Sequence, residues 1–292
     1  MSTDRANAQA LRRHVEALEG ERHWARSPER MAQARSYVLD TLRASGWQPL
    51  VQPFTFAGRT HENITALSPG ADPALPRALV GAHLDTVPGT PGADDNASGV
   101  AGVLETARIL AARPSSLPVE LAVWDLEERT AMTYRVGSRH QVAAARKAGV
   151  RYAGAIVLEM IGFRTTAPGS QRVPLPVRWM DLPRTGDFIA AIGDWRSRRL
   201  LRAFLEAAGR ASPGLAVSHL TVPLRGWPVW ATRRSDNASF WSAGYPALML
   251  TDTANLRNPH YHRATDRSDT LDYGFMAEVV DGVVETVRGL AG

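Results

Sequence analysis

The chain has 292 residues, 44% apolar and 22% charged, the composition of an ordinary globular protein with room for one large α/β domain or two small ones. It has no cysteine, which excludes disulfides and thiolate metal sites and leaves histidine nitrogen and carboxylate oxygen as metal ligands. The net charge of +5 is almost all arginine, with Lys147 the only lysine, and no basic stripe interleaved with aromatics marks a nucleic-acid partner.

A first helix is predicted over 4–18, with Leu11, Val15 and Leu18 on one face and Gly20 past its end. This segment lacks the apolar stretch of a secretory signal, and no run approaches the ~20 residues that span a bilayer, so the expectation is a cytoplasmic protein with no membrane partner. Ser27 and Pro28 open a second helix that passes Tyr37, Val38 and Leu42 and stops before Gly46. Two extended segments follow at 50–56 and 63–67, then a turn at Ser68, Pro69 and Gly70.

From there strands and helices alternate. Strands are predicted at 78–83, 119–124, 153–158, 188–192 and 247–250, and helices at 97–112, 138–148, 197–208 and 271–290. The cluster Arg196, Arg198, Arg199 and Arg202 fits a solvated face of the third of these helices. Alternation of this kind implies a mainly parallel sheet covered by helices on both faces. No repeat or linker divides the chain, so one domain over 1–292 is expected. The stretch 162–186, with Pro168, Pro174, Pro176 and Pro183, is long for a connection and suits a binding loop.

In open α/β sheets, ligands bind beyond the carboxyl ends of the strands. His83 and Asp85 follow the strand at 78–83, Asp125, Glu127 and Glu128 the strand at 119–124, and Glu159 the strand at 153–158. Asp252 follows the last strand, with His260 and His262 further on. Each has an ordinary explanation alone: a histidine oriented by a neighbouring carboxylate, a solvated Glu-Glu pair, a helix cap at Asp94, Asp95 and Asn96. Together they place so many carboxylates at one sheet edge that burial requires compensating cations. Histidine and carboxylate at successive strand ends are the ligands of a borderline divalent metal.

The segments GAHLDTV (81–87), PGADDNASG (91–99), DLEER (125–129), VLEMIGF (157–163) and RNPHYHRATDRSDTLD (257–272) resemble, in order, the motifs of the co-catalytic zinc exopeptidases. That family includes bacterial leucyl aminopeptidases, glutamate carboxypeptidase and glutaminyl cyclase. The resemblance implies a three-layer αβα sandwich around a mixed, mainly parallel sheet of about eight strands. It implies two Zn²⁺, or another divalent metal such as Co²⁺, held by His83, Asp95, Glu128, Glu159 and His262. Asp95 would bridge, His83 and Glu159 would share one ion, and Glu128 and His262 the other. Three carboxylates and two neutral imidazoles would leave the cluster at +1. Glu127 would be the general base acting on a water activated by the two metals. Asp85 would orient His83 through its other ring nitrogen. A cis peptide at Asp95–Asn96 is implied as well.

The chain departs from its best-known relatives at Ser235-Asp236-Asn237, where the family has Ser-Asp-His, and Thr232 stands nearest the place of an oxyanion-supporting tyrosine. Arg135 and His260 are loose candidates for substrate contacts, with His260 the poorer. Loops 162–186 and 220–235 are expected to line the pocket, where Trp179, Trp227 and Trp230 hint at an apolar lining but individually suit core packing. The expected function is an aminopeptidase acting on a peptide or small amide. The alternatives are a glutaminyl cyclase, a non-peptide amidohydrolase, or an inactive peptidase fold serving as a binding module.

Overall fold

The computed structural model describes residues 4–72, 74–128 and 133–290. Eight strands form one sheet in the order β1-β2-β4-β3-β5-β8-β6-β7. The central members are β3 (Arg77–His83), β4 (Val119–Trp124), β5 (Tyr152–Glu159) and β8 (Ala247–Thr251). β3 pairs in parallel with β4 and β5, and β5 with β8. These strands are buried on both faces and read as continuous apolar runs, which is why they were visible in the sequence. The hairpin of β1 (Gln48–Phe56) and β2 (Arg59–Leu67) adds to one side. Its two-residue turn, Ala57-Gly58, has positive φ at both residues, the form whose twist matches the flanking strands. On the other side β6 (Phe188–Asp194) runs antiparallel to β8, and β7 (Ala216–Val222) parallel to β6.

Alternate strand residues serve opposite faces. Val80, Val123, Leu158 and Leu250 meet α1 (Ala8–Leu18), α2 (Pro28–Ala44), α3 (Gly99–Ala112), α5 (Arg198–Ala211) and α7 (Tyr273–Gly289) in the larger core. Leu79, Ala122 and Val157 face the smaller core, with α4 (Val136–Lys147) and α6 (Asn237–Ala243). The result is the expected three-layer arrangement around a mixed sheet. Among the described residues no helix is long and apolar enough to cross a membrane.

Helix ends differ from the sequence expectation where capping decides them. Asn7 caps α1 by accepting the Ala10 N–H, so the helix starts at Ala8. Asp272 caps α7 through the Phe275 N–H. Two elements were not foreseen. β7 is an edge strand in which Val222 alone is fully buried, and α6 is seven residues long. Neither has enough apolar periodicity to stand out.

Candidate metal centre

Every strand-end residue singled out above lies on the carboxyl rim of β3, β4, β5 and β8. His83 and Glu159 are the last residues of β3 and β5. After β4 the chain turns sharply at Leu126, which has φ +56°, and Glu127 and Glu128 follow. Asp95 sits in the irregular turn Ala93–Ser98 ahead of α3, with a cis peptide to Asn96. His262 comes from the long loop between β8 and α7.

These residues form two trios sharing Asp95. His83 Nε2 lies 3.3 Å from Asp95 Oδ1 and 3.4 Å from Glu159 Oε2. His262 Nε2 lies 3.1 Å from Asp95 Oδ2 and 3.4 Å from Glu128 Oε1. The two Asp95 oxygens thus face different histidines, and within each trio the donor atoms are all within 4.8 Å of one another. His83 Nε2 and Asp95 Oδ1 are buried without a hydrogen-bond partner. One imidazole nitrogen and two carboxylate oxygens per trio fit a zinc-like divalent ion.

The electrostatics point the same way. Burial pushes Glu127 well above the usual carboxyl range and Glu128 up to about 7. His83 is raised well above its ordinary value despite burial, chiefly by Glu159, and His262 is raised to about 10 by Asp95 and Glu128 against burial. Burial would raise Asp95, but hydrogen bonds from His262 and His83 hold it below the usual range. Each trio therefore draws positive charge to its centre.

A surrounding layer fixes these groups. One Asp85 oxygen accepts the Glu127 N–H at 2.9 Å and the other the Glu128 N–H at 3.0 Å. His83 Nδ1 is nearer the Asp85 backbone carbonyl, at 3.2 Å, than its carboxylate, at 3.5 Å. The Asp85 side chain therefore holds the Glu127–Glu128 loop as much as the imidazole, a refinement of its expected role. Asp266 accepts the backbone N–H groups of Asp94 and Asp95 at 2.8 and 3.1 Å. Asp94 accepts from Gly162 N and Asn258 Nδ2, and Ser235 Oγ donates to Glu159 at 2.7 Å. Arg22, wholly buried, donates to the carbonyls of Leu18, Gly20, Leu84, Pro91 and Gly92. Gly92 has φ +63°, and a Cβ there would come within 2.5 Å of the Asp95 carbonyl and 2.9 Å of Arg22, so this turn admits only glycine.

Sequence reading overlooked Arg22 and Asp266, one an arginine in a loop and the other an acid in a polar run, because neither lies at a strand end. Asp252 is fully buried behind the centre and belongs to neither trio. His260 is turned to Thr265 Oγ1 at 3.0 Å and set edge-on to Phe163. Thr232 lines the cavity, and its hydroxyl donates to the Val229 carbonyl at 2.7 Å. Tyr261, stacked on His262 with ring centres 3.7 Å apart, lines the cavity as well.

Beside the two trios lies a cavity of about 430 Å³ over the exposed face of β8, β6 and β7. Loops 162–186 and 220–235 both line it, as expected, through residues such as Val177, Leu182, Val229 and Trp230. Trp179, Trp227 and Trp230 are 83%, 60% and 52% exposed, so none packs in the core.

Residues 63–287 match the profile of Peptidase family M28. The chain belongs to this family. Among M28-like relatives, YfbL of Escherichia coli K12, an uncharacterized protein, is 35% identical over 264 residues, covering 88% of this chain and 79% of YfbL. The Mycobacterium tuberculosis protein named "Probable lipoprotein aminopeptidase LpqL" is 30% identical over 220 residues, covering 66% of this chain but 38% of its own length. The glutaminyl cyclase of Porphyromonas gingivalis shares the fold with a TM-score of 0.74 at 19% identity, covering 99% of this chain and all of that one.

Proposed function

We propose that this M28 protein is an aminopeptidase that holds two zinc ions and hydrolyses the first peptide bond of its substrate. The observation that carries the proposal is the division of the Asp95 carboxylate between two histidine–glutamate pairs, His83 with Glu159 and His262 with Glu128. That geometry suits a carboxylate bridging two ions. When bound, such a pair polarises a carbonyl oxygen and lowers the pKa of water.

Glu127 is assigned as general base. It has one buried oxygen without a partner, lines the cavity, belongs to neither trio, and is held in place through its N–H by Asp85. Its raised proton affinity suits a group that accepts a proton from water and hands it to the departing amine. Ile192, Leu220, Val229 and Met249 along the cavity favour a large apolar side chain on the N-terminal residue.

The test is a panel of fluorogenic aminoacyl amides, free and N-blocked, with zinc- or cobalt-loaded protein. The expected result is cleavage of free leucyl and phenylalanyl amides, little cleavage of aspartyl amide, and none of the blocked controls. Ring closure of N-terminal glutamine with one zinc per chain, and no amide hydrolysis, would establish the cyclase reading. Hydrolysis indifferent to chelator would overturn the metal assignment.

A further inference from the structure

Arg135 is a buried cation that forms no close ion pair among the described residues. Its guanidinium belongs to a residue 6% exposed, and the carboxylates of Glu127 and Asp236 act on it only at longer range. One Nη donates to the Arg233 carbonyl, while Nε is buried with no acceptor. Burying a guanidinium without a counter-charge costs several kcal/mol unless a partner arrives. The surrounding backbone fixes where it stands. Arg135 has φ +56°, and its N–H donates to the Glu127 carbonyl at 2.9 Å, followed by Val136 N–H to Leu126 at 2.8 Å. This short ladder fastens Arg135 directly across from the assigned general base, and its side chain lines the cavity.

The other arginines of the cavity are engaged. Arg233 lies over the Trp227 ring and donates to the Arg225 carbonyl and Ser242. Arg234 is held by Asn255 and Tyr261, and Arg172 by the Asn255 carbonyl. The acidic residues lining the cavity are Asp95, Glu127, Glu128 and Glu159, whose four negative charges match those of two divalent ions. With the ions in place, the arginines are the uncompensated charge. Arg233 also has a buried Nε without an acceptor, but both of its Nη atoms are engaged, whereas Arg135 has one Nη bonded to the Arg233 carbonyl and the other left for a ligand.

We propose that Arg135 binds a carboxylate on the leaving side of the scissile bond, which makes dipeptides with a free C-terminus the preferred substrate class of this site. The inference rests on the aminopeptidase reading. A guanidinium fork matches a planar carboxylate, whereas a neutral carbonyl or amide engages it weakly. Glu127 works at the scissile bond and delivers its proton to the departing amine, so the residue facing it meets the leaving residue, and the apolar cavity holds the N-terminal one. In a dipeptide the carboxylate carbon is about 2.5 Å from the scissile nitrogen, within reach of a group beside Glu127.

The experiment compares Leu-Ala with Leu-Ala amide. For zinc-loaded wild type, kcat/KM should favour the free acid by about ten- to a hundredfold, as a charge-assisted bond gives. In Arg135→Met that ratio should collapse to about one, with Arg135→Lys between. A wild-type ratio near one overturns the proposal and needs no variant. So does a ratio unchanged in Arg135→Met, since a merely structural role lowers both substrates alike. Calorimetric titration of the zinc-loaded Glu127→Gln protein with the two peptides reads the same preference as a Kd ratio without turnover. If the wild type hydrolyses neither peptide but the Kd ratio holds, the aminopeptidase reading fails and the carboxylate site stands. If hydrolysis proceeds with equal Kd values, the reverse is true, and binding of neither peptide refutes the Arg135 assignment.

Discussion

Replacing Asp85 by alanine tests how the catalytic loop is held. Its two oxygens accept the buried N–H groups of Glu127 and Glu128 at 2.9 and 3.0 Å. A hydrogen bond to a charged group contributes about 1.5–3 kcal/mol, so Asp85→Ala should remove about 3–6 kcal/mol and leave two donors unsatisfied. For a chain of this size each kcal/mol moves Tm by about 2–4 °C, so a fall on the order of 10 °C is expected in a calorimetric melt. The loop carries both the assigned base and a proposed ligand. A displacement of about 1 Å at a reacting group costs ~10²-fold in rate, and loss of an orienting partner costs ~10–100-fold in metal affinity. Stopped-flow turnover of leucyl amide and competition for zinc against a chelating dye should show both losses together. Asp85→Asn keeps one acceptor oxygen and should recover about half of the Tm. An Asp85→Ala protein with wild-type Tm, zinc affinity and kcat would refute the idea that this carboxylate positions the loop.

Glu127→Gln should retain both zinc ions, read by atomic emission, and lose turnover by at least ~10²-fold; near-normal kcat would remove Glu127 as the base. Asp95→Asn should bind zinc weakly or lose one ion, because an amide supplies one neutral oxygen where two charged ones stand, and unchanged stoichiometry would count against bridging. The metal-free protein should lose Tm as pH rises from about 4 to 10. The carboxyls of Glu128, Asp236 and Asp266 are each raised to about 7 by burial, and the His262 imidazole is raised to about 10 by Asp95 and Glu128. Each binds more protons folded than unfolded, so the stability it contributes is present at low pH and disappears as pH climbs through its folded value. Asp95 acts in the opposite sense, its contribution appearing above its unfolded value. Zinc should raise Tm more at pH 8 than at pH 6, and a zinc effect that shrinks with pH would contradict competition between protons and metal for these groups.

The layers and the central strands were legible because β3, β4, β5 and β8 are buried on both faces and leave uninterrupted apolar runs. His83, Glu127, Glu128 and Glu159 were legible for a related reason, since each directly follows such a run. Asp95 and His262 are not near a strand end and could be placed only through the spaced motifs they share with relatives. Arg22 and Asp266 escaped notice because their roles depend on backbone groups of distant turns, which leave no pattern in side-chain order. β7 was hidden by half-exposed residues at the sheet edge, and the exposure of Trp179, Trp227 and Trp230 runs against the usual fate of tryptophan.

The five carbonyls gathered by Arg22 give the N-terminal portion an importance that family boundaries conceal. The matched region opens at residue 63, yet the side chain that locks the Pro91–Gly92 turn, three residues ahead of Asp95, is supplied by the stretch just after α1. A version trimmed to the matched region would keep every proposed zinc-binding side chain and lose the keystone over the loop that carries the shared one. The first sixty residues therefore brace the proposed metal centre besides supplying β1, and Arg22→Ala, which leaves every strand in place, should read out as weakened metal retention.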